Sequence, residues 1–482
     1  MKKSSFWLSA VAALGIAVML AGCGQTYYFA GRVLPPSGLS YRVMVAIQNS
    51  SILSKGALEI LDAFYDVRFA YNNPNVTYSI SGYSGSLPLT IQSFPEEQAA
   101  AVYGSGDGSL INVNYQKEST GGSIATLPGV SQSVFVTRNE NYVFAANLGN
   151  HSLTVVDKTT SGGVYYLNLP GVYRVSINPG GTAALAFVQN SDYAYYPRKL
   201  SSAQTLAYSA GPGSWPKAAV DCEPLNAPAW CVYQVQSPDN VDSTGTPYGA
   251  PLTFDRPIKA VFSPDGGTAY ILNCGPECGG KASSVSPMPV APIIFLPNQA
   301  SGKLPSTGAM TNILVPGGAS NALVANTTLY VVGQQPMPDG LFTGNLTVVN
   351  LNSNVAGAPV GISDGAPGAP SRMILADDNT LWIAMTQCTN GERYAKGMPY
   401  GCLTMFNTSS NSVTTIEPYQ GDGTGIAAVT TLHKVYAAQG GQVYIFSTKD
   451  GSAYNNQYVT VTGTAYDVAY MDALSDGNNT VY

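Results

Sequence analysis

Apolar and polar residues along this chain alternate in short runs, and the same arrangement returns again and again. Ser133-Val-Phe-Val-Thr137 precedes the polar turn Arg138-Asn-Glu-Asn141, then Tyr142-Val-Phe-Ala-Ala-Asn147, Ser152-Leu-Thr-Val-Val-Asp157 and Val164-Tyr-Tyr-Leu-Asn-Leu169. Alternation at period two, β-branched and aromatic residues, and turn residues between the runs predict four short antiparallel strands. A second copy opens at Ile258-Lys-Ala-Val-Phe, turns at Pro264-Asp265-Gly266 and continues as Ala269-Tyr-Ile-Leu-Asn273. Further copies contain Leu329-Tyr-Val-Val332, Leu381-Trp-Ile-Ala-Met385 and Val435-Tyr-Ala-Ala438, with weaker ones near Tyr41–Asp62, Ala99–Val113 and Val175–Val188. The second strands are expected to end near 48, 104, 147, 189, 273, 333, 386 and 438. Their spacing runs from 42 to 60 residues, except for 84 between 189 and 273, where Cys222 and Cys231 mark an inserted loop.

Four strands per repeat, with no helical period between them, point to an all-β propeller of seven or eight four-stranded blades, eight by repeat count. Ala465-Tyr-Asp-Val-Ala-Tyr470 resembles a first strand with nothing after it, while the first repeat begins at its second strand. The two ends together complete one blade and leave no free sheet edge. Composition agrees. Of 482 residues 51 are Gly, 32 Pro and 31 Tyr, and charged residues make up only 10%, against about 25% in an average soluble domain.

The N-terminus carries an address. Lys2 and Lys3 precede an apolar run from Phe6 to Leu20, which ends in Leu20-Ala21-Gly22-Cys23. That is a secretory signal, too short for a membrane span, and its last four residues resemble the bacterial lipobox. By that resemblance Cys23 becomes the lipid-bearing first residue of the mature chain. Gly24 stands where an Asp would resemble an inner-membrane retention signal, which leans toward the outer membrane, on its periplasmic or surface face. The division expected is a signal peptide at 1–22, a lipidated tether at 23–40 and the propeller at 41–482. The six later cysteines, Cys222, Cys231, Cys274, Cys278, Cys388 and Cys402, fall into three close pairs. Disulfides suit such a compartment, and no second thiolate pair or nearby histidine completes a metal set.

The Ser263-Pro-Asp-Gly-Gly-Thr-Ala-Tyr-Ile-Leu-Asn273 segment and the 142–157 segment resemble the YVTN-type, lactonase-like propeller repeat. That resemblance implies the propeller fold and leaves function open, since such propellers include sugar-lactone hydrolases, surface-layer proteins, binding proteins and electron-transfer subunits.

Few residues suggest chemistry. There is no Gly-x-Ser-x-Gly, no phosphate loop, and only two histidines, His151 and His433, both in expected turns. Glu96-Glu97 and Asp377-Asp378 are adjacent acids with no basic residue beside the first pair; the second occupies a turn. No catalytic residue, metal site or cofactor is expected. With 22 Lys and Arg against 28 Asp and Glu, and no basic cluster after Lys3, nucleic acid is not an expected partner. Amides recur at or just beyond the second strands, at Gln48, Asn147, Asn190, Asn273, Gln334, Gln387 and Gln439. Either they ring one face and bind a neutral ligand, or each satisfies the turn backbone of its own blade, the reading that periodicity favours. The function expected is a monomeric envelope lipoprotein that binds a protein or a neutral glycan without catalysis. The alternatives are a lactone hydrolase of the sugar-lactone type and a subunit of a periplasmic electron-transfer complex.

Overall fold

The computed structural model describes residues 31–475 apart from 50–54, 72, 84, 160–162, 242–246, 307, 339, 341, 364–367, 387, 389–400 and 418–420. The signal segment, Cys23 and Gln387 therefore lie outside the described residues.

Eight antiparallel sheets stand around a ring as the blades of a propeller. The first blade joins the chain ends: Thr464–Tyr470 is its innermost strand and pairs with Arg42–Gln48, which Gly56–Asp62, Asn73–Ile80 and a short Phe69–Ala70 edge follow outward. In the next seven blades the innermost strands are Pro88–Phe94, Ser133–Val136, Val172–Ile177, Pro257–Phe262, Asn321–Ala325, Ala369–Ala376 and Gly423–Val429. Eight is thus the blade number, with chain closure as the sequence implies.

The strands lie where their pattern puts them because each blade is covered on both faces. Tyr142–Asn147 is buried along its whole length. Its side chains point alternately to opposite sides of the sheet. Tyr142, Phe144 and Ala146 pack toward the fourth blade, whereas Val143 and Ala145 pack toward the second. Every interface between neighbouring blades has one such apolar cluster, eight in all. The turns are made as their residues dictate. Gly266, at φ 71°, occupies the left-handed region that a side chain disfavours, and Asp265 Oδ1 accepts the Gly267 N–H at 3.0 Å.

The long interval differs from expectation. It is more than an inserted loop, because Trp230–Gln234 is the fourth strand of the fourth blade and Ala219–Glu223 a fifth strand at its edge. A six-residue helix, Ser202–Ala207, intervenes. The reason is apolar burial: Trp230 is fully buried against Phe144 and Phe295, and its indole N–H donates to Asp157 at 3.2 Å. Three local disulfides, Cys222–Cys231, Cys274–Cys278 and Cys388–Cys402, pair the cysteines as their spacing suggests.

Innermost strands splay apart around the axis and cannot form a continuous ladder, so their inward backbone groups need other partners. Polar side chains supply them from blade to blade. Ile91 N–H donates to Asp467 (2.7 Å), Val136 N–H to Gln92 (2.8 Å), Val175 N–H to Ser133 (3.2 Å) and Ala260 N–H to Ser176 (3.1 Å). Lys259 Nζ then donates to Asn321 (2.8 Å), Asn321 Nδ2 to the Ser371 carbonyl (3.1 Å), and Ser371 Oγ to the Gly423 carbonyl (2.6 Å). At the last step Gly425 lies so close to Asp467 that a Cβ there would come within 2.4 Å of the carboxylate. Ser176→Ala, which leaves the buried Ala260 N–H without this acceptor, is expected to cost about 1–3 kcal/mol in urea unfolding; no loss would show that water replaces the hydroxyl.

Candidate functional site

We call the end of the channel where the innermost strands begin the upper mouth, and the end where they finish the lower mouth. The lower mouth is apolar, a cavity of about 570 Å³ walled by Phe135, Ile177, Phe262, Leu323, Val324 and Met373 among others. The upper mouth is a smaller cavity of about 310 Å³, and its wall is cationic. Asn321 lines both, and with Lys259 it divides them.

Three cations converge on the upper mouth from three innermost strands: Arg174, Lys259 and Arg372. Each stands in the middle of a strand whose other positions are uncharged, so the fold aims them together at the axis. Lys259 is almost wholly buried. Burial holds its ammonium well below the usual lysine range, and the charges of Arg174 and Arg372 depress it further. Burial also lowers both guanidinium groups. Among the described residues no hydrogen bond reaches the Arg174 guanidinium, which lies 5.6 Å from the Tyr173 ring centre. Ser131, Ser133, Ser320, Ser371 and Thr386 add hydroxyls around the cavity.

Two acids answer this charge, and both are pushed up. Glu277 sits in the tight turn closed by the Cys274–Cys278 disulfide and accepts the Gln334 N–H at 3.0 Å. Burial raises its carboxyl to about 7, against the opposing effects of that hydrogen bond and of Arg174. Asp467 is fully buried and raised to about 7 by burial, with Arg372 and the N–H groups of Ile91 and Val468 pulling the other way. Near neutral pH the group therefore carries a net positive charge that rises as these acids take up protons. Burial also lifts the Tyr173 hydroxyl to about 12. Chemically such an arrangement can hold an anion, because three partly desolvated donors face one small cavity.

The amides singled out in the sequence sit elsewhere. Asn147 hydrogen-bonds the Pro128 carbonyl and accepts the Asn150 N–H at 2.9 Å, which ties it to its own turn. Asn273 donates to Ser284 (2.9 Å) and Ser286 (2.7 Å) inside its blade. Gln439 is fully buried, and Gln334 meets Glu277 through its backbone. None of these four lines the upper mouth. Elsewhere, Glu96 and Glu97 do find a basic partner in Arg138 of the next blade, at 3.3 and 3.2 Å on the surface. His151 lies in a turn at φ 57°. His433 meets Asp378 at 2.9 Å and Asp377 at 3.3 Å between the seventh and eighth blades. Burial lifts Asp377 to about 6. Among the described residues no group of three or more His, Cys, Asp or Glu could hold a metal, and no helix is long and apolar enough to cross a membrane.

A cation-mouthed, eight-bladed propeller is therefore the class that fold and site define. Solved structures share its architecture. Dihydro-heme d1 dehydrogenase NirN, in complex with DHE, superposes with a TM-score of 0.52 at 9% identity, over 93% of this chain and 80% of its own. Kuenenia stuttgartiensis hydrazine synthase gives 0.44 at 13% identity, over 75% of this chain and 96% of its own. Pseudomonas aeruginosa periplasmic gluconolactonase gives 0.39 at 14%, over 89% and 98%. At 9% identity the likeness to NirN speaks of the fold alone. No protein-family model matches the chain, and no curated protein does.

Proposed function

We propose that this protein is a non-enzymatic binding module of the bacterial cell envelope, lipid-anchored through Cys23 at the outer membrane, and that its upper channel mouth takes a small hydroxylated anion such as a sugar acid. The observation that carries the reading is the convergence of Arg174, Lys259 and Arg372 on one cavity fringed with hydroxyls. This moves the expected ligand from a neutral glycan to an acidic one, since every charged residue lining that cavity is a cation. Calorimetry with gluconate, glucuronate, citrate and phosphate, with glucose as the uncharged comparison, tests it. Binding of glucose as tight as glucuronate would overturn it.

Affinity should depend on pH in one direction. As pH rises from 6 to 8, Glu277 and Asp467, each near 7, lose protons and cancel positive charge. Anion binding is expected to weaken roughly tenfold, as for a ligand-linked shift of about one pKa unit. Glu277→Gln should flatten much of that slope, and an unchanged slope would remove Glu277 from the site.

One observation favours a second reading, lactone hydrolysis. Glu277 combines a pKa near 7, burial and a neighbouring Arg174, the environment of a general base. Turnover in a lactone panel that Glu277→Gln abolishes would replace the binding reading.

A further inference from the structure

The N-terminal segment does not leave the ring at random. Arg32 donates to the carbonyls of Pro95 (3.0 Å) and Ala473 (2.9 Å), and Ser37 donates to Glu118 through its N–H (2.8 Å) and hydroxyl (2.6 Å). Residues 31–41 are thereby held against the lower side of the first two blades, the side of the apolar channel mouth. Tyr41 stacks on Phe64 with ring centres 6.2 Å apart, and Tyr65 stacks on Tyr71 at 4.0 Å. These rings surround a cleft of about 540 Å³ with Tyr78. Phe64 and Tyr71 are 54% and 66% exposed, and Leu474, beside the carbonyl that Arg32 holds, is 59% exposed.

We propose that this lower side, through Phe64, Tyr65, Tyr71 and Leu474, rests on the bilayer surface and turns the cationic mouth away from it. The inference rests on lipid attachment at Cys23. Gly31 is eight residue steps from Cys23, and a fully extended chain spans at most about 3.6 Å per residue, so the lipid reaches roughly 29 Å from Gly31. That is about the thickness of one bilayer core, which keeps the side bearing residue 31 near the membrane. Tyrosine suits the boundary, with an apolar body and a polar tip. The acids nearby are matched by bases, Asp66 by Lys434 and Glu96 and Glu97 by Arg138, so contact is driven by the aromatic faces and needs no anionic lipid.

The test is hydroxyl-radical footprinting of the mature, lipidated protein floated on phosphatidylcholine vesicles. Tyr166 and Tyr458, exposed by 51% and 53% on outer blade strands, serve as internal references. Tyr71 is expected to oxidise at least fivefold more slowly than both. Equal rates on floated protein would overturn the docking while leaving the anchor intact. Protection that requires an added chito-oligosaccharide would assign the aromatic cleft to a glycan and overturn it too. A chain that does not float, and whose intact mass carries no lipid on Cys23, would overturn the anchor and the docking together.

Discussion

Arg174→Gln combined with Arg372→Gln is expected to weaken glucuronate binding at pH 6 by about a hundredfold or more. Each guanidinium offers the anion charge-assisted hydrogen bonds, whose individual worth is about 1.5–3 kcal/mol; two such losses span two decades or more in affinity. Lys259 would remain, relieved of the two charges that depress it, so some binding should survive. Both arginines are only partly covered and face the cavity, and the variant should keep the circular dichroism of the parent. Calorimetry on the two proteins decides the matter. Unchanged affinity in a folded double variant would move the ligand away from this mouth.

Asp472→Ala is expected to destabilise the fold by about 3–5 kcal/mol, the usual result of leaving half of a buried ion pair behind. Arg42 and Asp472 are both fully buried. Asp472 accepts Arg42 Nη2 at 2.5 Å, Nε at 2.9 Å and the Arg42 N–H at 2.8 Å. Arg42 also donates to the Tyr115 carbonyl at 2.6 Å and to Glu118 at 3.0 Å. Because this network ties the first strand of the chain to the end of the last one, the loss should appear locally as well as globally. Urea unfolding gives the energy, and limited proteolysis should cut first between 464 and 473. A variant that unfolds with the parent and resists cleavage there would show that the pairing of the two strands holds without the ion pair.

Much of this ring was legible because a propeller repeats one local instruction. The Tyr-Val-Phe-Ala-Ala-Asn run at 142–147 is apolar on both faces, and the Pro264-Asp265-Gly266 turn states its own geometry. Where an outer strand departs from the repeat, as Trp230–Gln234 does after a helix and an edge strand, period alone could not place it. The upper mouth was harder. Arg174, Lys259 and Arg372 are 85 and 113 residues apart in the chain, and only ring closure makes them neighbours. The available signal was a lone cation in the middle of each of three first strands, in a chain that carries few charges. Glu277 was hidden for another reason: between Cys274 and Cys278 it reads as part of a disulfide turn, and its approach to Arg174 belongs to tertiary structure. The serines and amides that link the innermost strands look like ordinary strand residues until their partners on the next blade are seen.

The seam in the first blade has a mechanical consequence. Arg32, Tyr41 and Arg42 follow one another into the strand that clasps Thr464–Tyr470. A tug on the N-terminal segment is thus delivered to the clasp, where the load runs along paired strands and must shear their hydrogen bonds together instead of peeling them singly. Arg32 grips Ala473 and Arg42 grips Asp472 on the far side of that join. Drag on the ring would therefore be borne by both chain ends at once, at the point where the circle was closed.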